Sequence, residues 1–114
     1  MPRPRIYLSG PLTSSGNVLE NIDAAMKAAR RLIDAGFSPL TPHLSYYLDP
    51  GEAWSRATWL EIDLPWLECA DAVLRLPGES EGADAEVARA LELGIPVFRC
   101  IGQLVARFHA AAVA

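Results

Sequence analysis

Residues 72–97 read AVLRLPGESEGADAEVARALELGIPV, and this stretch decides the fold. Residues 72–76 form a short apolar run of strand length, which Pro77 and Gly78 break. The loop 77–82 is rich in Gly and Ser, and a helical pattern follows over residues 83–93. Gly94 ends that pattern, and a second apolar run occupies residues 95–99. Strand, loop, helix and strand in this order make the unit from which parallel sheets are assembled.

Working upstream, the same alternation recurs. Residues 5–9 read as a strand, followed by Gly10-Pro11 and a polar loop over residues 13–17. Val18, Ile22, Ala25, Ala29 and Leu32 then recur at helical spacing, with Glu20, Asp23, Lys27, Arg30 and Asp34 on the opposite side. Gly36 closes that helix as its C′ residue. A second strand over residues 37–41 leads into a long irregular stretch, residues 43–53, of the length expected for a lid or binding loop. A helix over residues 55–70 is expected to be interrupted at Pro65, and a last helix covers residues 101–112. Right-handed crossovers then predict an α/β fold, a doubly wound parallel sheet of flavodoxin or Rossmann type, ordered 2-1-3-4 with helices on both faces. Its switch point lies between the first and third strands, so Ser9-Gly10 and the 77–82 loop meet at the mouth where such sheets bind ligands.

Composition narrows the classes. A chain of 114 residues, 51% hydrophobic, is expected to form one domain over residues 1–114. The net charge of −4 disfavours a duplex nucleic acid partner, which calls for clustered Lys and Arg. Apolar runs are only a few residues long, so neither a membrane span nor a signal peptide is expected. Cys69 and Cys100 lack any paired spacing, which suits a reduced, cytoplasmic setting. His43 and His109 show no ligand spacing, so no metal is expected. The chain also lacks a Walker lysine pattern, GxGxxG and GxSxG.

Two carboxylates stand out. Glu86 opens the helix of residues 83–93 on a stripe with Ala83, Ala90 and Leu93, leaning toward the sheet. It reads either as a functional carboxylate or as a first-turn acid complementing the helix dipole. Asp63 falls within the apolar arc of Trp59, Ile62, Trp66 and Leu67, where an acid is costly unless paired or functional. Its other reading is a cap for a helical segment opening at Pro65. Asp71 reads as a turn residue. The loops 10–16 and 77–82 offer backbone amides to a phosphate, though ordinary turn chemistry explains such composition equally well. His43 is a candidate pocket residue together with Tyr46 and Tyr47, whose rings either stack on a base or pack the loop onto the core.

Three patches in order resemble the nucleoside 2-deoxyribosyltransferase superfamily, including its hydrolytic branch, the 2′-deoxynucleoside 5′-phosphate N-hydrolases, and small bacterial and phage relatives. They are Ile6-Tyr7-Leu8-Ser9-Gly10-Pro11, then Asp63-Leu64-Pro65-Trp66-Leu67-Glu68-Cys69-Ala70-Asp71, then Ser80-Glu81-Gly82-Ala83-Asp84-Ala85-Glu86 with Ala90 and Gly94-Ile95-Pro96-Val97. The resemblance implies cleavage of a nucleoside or nucleotide N-glycosidic bond without a cofactor. It makes Glu86 the nucleophile, Asp63 the group near the leaving base, and Tyr7 a residue that contacts substrate or positions Glu86. Ser80 resembles the nucleotide hydrolases and implies a 5′-phosphate contact, with Ser9, Gly10, Ser14, Ser15, Gly16 and Gly82 completing the substrate pocket. Two glycines common before the family's Glu stand here as Gly82 and Asp84, and Asp84 either caps the helix or repels a phosphate. Relatives complete their site from a neighbouring subunit, so a homodimer or higher oligomer is expected, helped by the Ala- and Val-rich C-terminus. The alternative from another class is a non-catalytic nucleotide-binding or sensing module of the same fold.

Overall fold

A computed structural model describes residues 2–14 and 16–113, with side chains described through residue 109. The elements run β1 (Arg5–Ser9), α1 (Val18–Asp34), β2 (Ser38–Leu40), a 3₁₀-helix (Pro42–Tyr47), α2 (Arg56–Leu67), β3 (Ala72–Arg75), α3 (Glu81–Glu92), β4 (Val97–Phe98) and α4 (Ile101–Val113). The four strands form one parallel sheet ordered β2-β1-β3-β4, as expected from the alternation of elements. The switch point, where the order of strand addition turns back, sits between β1 and β3, where Ile6, Tyr7, Leu8 and Ser9 pair with Ala72, Val73, Leu74 and Arg75.

The strand period of two sorts these residues onto two faces. Ile6, Leu8, Ala72 and Leu74 pack with Ala28, Ala29 and Leu32 of α1 and Leu104 of α4. Phe37 joins this layer, met edge-on by Phe108 and stacked by His109. Tyr7 and Val73 point the other way, against Leu67 of α2 and Ala90 of α3. Helices therefore cover both faces, and the α2–α3 side receives the polar residues.

Helix ends follow local chemistry. The Asn17 side chain accepts from the amides of Leu19 and Glu20 at 2.8 and 3.2 Å, opening α1. Gly36 and Gly94, at φ of +94° and +73°, end α1 and α3, and the following amides of Phe37 and Ile95 return to Leu32 and Ala90.

Several boundaries differ from the sequence reading, among them the ends of β3 at Arg75 and α2 at Leu67. The 43–53 stretch is partly ordered as the 3₁₀-helix, with a turn after it in which Glu52 has φ +55°. The outer strands are shorter than expected, β2 by its two end residues and β4 reduced to Val97–Phe98. The helix around Pro65 is not interrupted: α2 runs unbroken from Arg56 to Leu67, and the Ser55 hydroxyl caps it. Pro65 lies one turn from its C-terminal end and deprives only the carbonyl of exposed Glu61, which water can serve. Finally, α3 begins at Glu81 rather than residue 83, because Ser80 accepts from the Ala83 amide at 3.1 Å and is the cap.

Candidate active site

β1 aims Tyr7 and Ser9 at α3, and both meet Glu86. The Tyr7 hydroxyl donates to Glu86 Oε2, and the Ser9 hydroxyl donates to Oε1 at 2.7 Å. Tyr7 and Ser9 are buried, and Glu86 is 8% exposed. With the cap at Ser80, Glu86 falls in the second turn of α3, beyond the reach of the helix terminus. The dipole reading of this residue therefore loses its basis, and two hydroxyl donors hold the carboxylate instead. Burial pushes the Glu86 carboxyl above its ordinary range, while the bonds from Tyr7 and Ser9 and the charge of Arg75 pull it down. Tyr7 is driven far above the usual phenol range by burial and by the charges of Glu86 and Asp63, so it remains a donor.

Asp63 comes from the middle of α2 and caps nothing, since the helix passes through it. It opens, with Glu86, onto a cleft of about 400 Å³, the size of a small-molecule site. Burial first, and the charge of Glu86 second, push its carboxyl up to about 7. The cleft thus holds two carboxylates under different constraints, one bonded by two hydroxyl donors and one pushed up to about 7 without them.

Other expected site residues divide. Gly10, Ser14, Ser80 and Gly82 line the cleft. A Cβ on Gly10 would lie 2.8 Å from that of Leu76, so the loop after β1 can approach β3 only without one. Ser14 donates to the Glu79 carbonyl at 3.0 Å and so ties the two mouth loops together. Ser80 accepts from Ala83 and keeps its own proton for donation. Tyr7 and Ser9 stand behind Glu86 and do not line the cleft, so Ser9 is engaged with the carboxylate rather than with a phosphate. Gly16 lies outside the lining, with φ +69°, and Ser15 falls outside the described residues. Asp84 does not cap α3; it accepts from Arg75 at 3.3 Å. Asp71 joins β3 to β1 rather than closing a turn, accepting from the Arg5 amide at 2.7 Å.

The aromatic wall was partly visible in the sequence. His43 and Tyr46 line the cleft, whereas Tyr47 is exposed and only meets Tyr46 edge-on. His43 is buried with neither ring nitrogen hydrogen-bonded, and burial lowers its pKa against the opposing pull of the Gly10 and Pro11 backbone. Sequence reasoning missed Asp49. Its carboxylate accepts from the Ala53 amide at 2.7 Å, the Trp54 amide at 3.2 Å and the Trp59 indole at 3.0 Å, pinning the loop to α2. It also missed Arg75, although an arginine inside the apolar run of a central parallel strand is itself a signal. Among the described residues, no three His, Cys, Asp or Glu side chains converge to hold a metal ion.

Residues 4–100 match a family model described as a domain of unknown function, DUF7768. The chain belongs to this family. No curated protein matches this DUF7768 chain significantly. Among solved structures, it is similar to a 2-deoxyribosyltransferase from the psychrotolerant bacterium Bacillus psychrosaccharolyticus, at 26% identity and a TM-score of 0.63. That match covers 82% of this chain and 69% of the transferase. A conserved protein from Enterococcus faecalis shares the fold at 22% identity and a TM-score of 0.63, over 83% of this chain and 61% of its own. The DUF7768 chain thus has the α/β architecture of a 2-deoxyribosyltransferase, as its sequence patches led us to expect.

Proposed function

We propose that this protein cleaves the N-glycosidic bond of a nucleoside or nucleoside 5′-monophosphate, with Glu86 as nucleophile and Asp63 as proton donor. The observation that carries this reading is the pairing of two carboxylates in one cleft, Glu86 accepting from Tyr7 and Ser9 and Asp63 held up to about 7. The likeness to a 2-deoxyribosyltransferase supports it.

In the proposed reaction a Glu86 oxygen attacks the anomeric carbon as the bond to the base nitrogen breaks, through an oxocarbenium-like transition state. The electron pair leaves with the nitrogen, and Asp63 supplies the proton. Asp63, now ionised, takes a proton from water or a second base. That acceptor attacks the anomeric carbon and frees Glu86 from its glycosyl ester, so water gives hydrolysis and a base gives transfer. Tyr7 and Ser9 hold the carboxylate in line. Trp59 and Tyr46, on the cleft wall, offer stacking surfaces to the base. The Ser80 hydroxyl at the opening of α3 suits a 5′-phosphate. Exposed Ile62 and Trp66 share one face of α2, and we read this face as the seat of a homodimer.

The test is incubation of wild type and Glu86→Gln with nucleosides and their 5′-monophosphates, following free base with and without an acceptor base. Wild type is expected to release base and the variant to lose release by on the order of a thousandfold or more. Binding without release by wild type would favour a sensing module instead.

A further inference from the structure

Arg75 is a buried cation that the proposed reaction has not yet used. It ends β3 and is 5% exposed, and burying a guanidinium is costly unless its charge is answered. The answer is incomplete. Its Nη1 donates to the Leu76 carbonyl, and its Nη2 donates to the Gly78 carbonyl at 2.9 Å and to Asp84 at 3.3 Å. Nε has no partner, and the one countercharge among these groups, Asp84, has a side chain 74% exposed to screening solvent.

Strand register shows where the remaining charge acts. Arg75 pairs with Ser9 across β1 and β3, and partners in a parallel register leave the sheet on the same face. Ser9 uses that face to reach Glu86. Around Glu86 stand Tyr7 from β1, Asp63 from α2 and Arg75 from β3; the same cleft is lined by neutral His43 of the 3₁₀-helix, Asp49, Glu52, and Arg56, which Glu81 pairs at 2.6 Å. In that set Arg75 is the buried positive charge, since the Arg56 side chain is 54% exposed and already paired with Glu81.

We propose that Arg75 is a positioning residue for Glu86, clamping the β3–α3 loop through two carbonyls and Asp84 while its charge favours the ionised form of the Glu86 carboxylate that attack requires. The catalytic half of this statement rests on the reading of Glu86 as nucleophile. The electrostatic half stands without it. The opposition of Arg75 to the upward push of burial on Glu86 agrees in direction.

The experiment is a carboxyl ¹³C NMR titration of glutamate-labelled protein, with Glu86→Gln assigning the resonance. Arg75→Met is expected to raise the Glu86 titration, and Asp84→Asn, which removes the countercharge of Arg75, to lower it. Arg75→Lys, which keeps the charge but loses the fork, is expected to leave the titration near wild type while lowering kcat for base release. The acid limb of kcat/KM is expected to follow the NMR shift in Arg75→Met. If that variant does not fold, the opposite-signed shift of Asp84→Asn decides. An unmoved Glu86 titration in the charge-altering variants that fold would overturn the proposal and leave Arg75 a loop clamp. Shifted titrations in a protein that releases no base would instead remove the proposed reaction and retain the electrostatic role.

Discussion

Glu86 and Asp63 are chemically similar acids whose neighbours differ. Two hydroxyl donors face Glu86, while Asp63 meets apolar surroundings and the negative charge of Glu86. If base release needs Glu86 ionised and Asp63 protonated, kcat/KM against pH is bell-shaped, with its alkaline limb near pH 7. Asp63→Asn is expected to abolish that limb, and Glu86→Gln to lower the Asp63 titration, since the Glu86 charge helps raise it. Stability carries the same signature. Above the unfolded Asp value near 3.8, the unfolded chain gives up a proton that folded Asp63 retains, so stability falls as pH rises from about 4 to about 7. Asp63→Asn is therefore expected to gain about 2 kcal/mol at pH 8, after discounting for the solvent that reaches this group, and nothing below pH 4. Denaturant titrations at the two pH values check this. Asp63 stood out in the sequence because an acid within an apolar arc is anomalous wherever the arc ends up, whereas Glu86, at the flank of its arc, was set apart by the family resemblance. Tyr7 entered as a possible positioner of Glu86 only with the family resemblance, and the bond from Ser9 did not show, since only the sheet register brings residues 7 and 9 to residue 86.

At the scale of elements, what was legible depended on how local the cause was. Gly36 ends α1 through amides of its own neighbours, and β1 is a short apolar run, so both could be read from adjacent residues. The start of α3 was misplaced because Gly82 looked like loop, whereas in the first helical turn behind the Ser80 cap it costs little. Asp49 was invisible as a site residue. Asp49-Pro50-Gly51 reads as a turn, and the donors that make it a staple meet only when the loop folds back on Trp59. Burial would raise the Asp49 carboxyl, but the Trp59 indole and the Ala53 and Trp54 amides outweigh it and hold it below its ordinary value. The staple therefore contributes stability above the ordinary Asp range and loses it as pH falls through the depressed value. Asp49→Ala is expected to raise KM several-fold with a smaller change in kcat, because it frees the wall that would carry the base and leaves the carboxylates alone. Steady-state kinetics with one nucleoside separates the two parameters, and a fall confined to kcat would contradict this role.

For the molecule as a whole, the sheet places all these groups at the carboxyl ends of β1 and β3, on the side covered by α2 and α3. On the outer surface of that side Ile62 and Trp66 of α2 and Leu91 of α3 are exposed. Light scattering is expected to find a dimer, and Trp66→Glu a monomer; a monomeric wild type at tens of micromolar would remove the second copy from the account. No helix among the described residues is long and apolar enough to cross a membrane. The central claim concerns one covalent bond, and trapping it is the most direct test. A 2′-fluoro-arabinosyl nucleoside, whose fluorine slows passage through the oxocarbenium-like state, would be incubated with the protein and the product read by intact mass and peptide mapping. The account predicts a single fluoropentosyl adduct on the peptide that contains Glu86, absent from Glu86→Gln. Base release without any adduct, or an adduct on another residue, would contradict it.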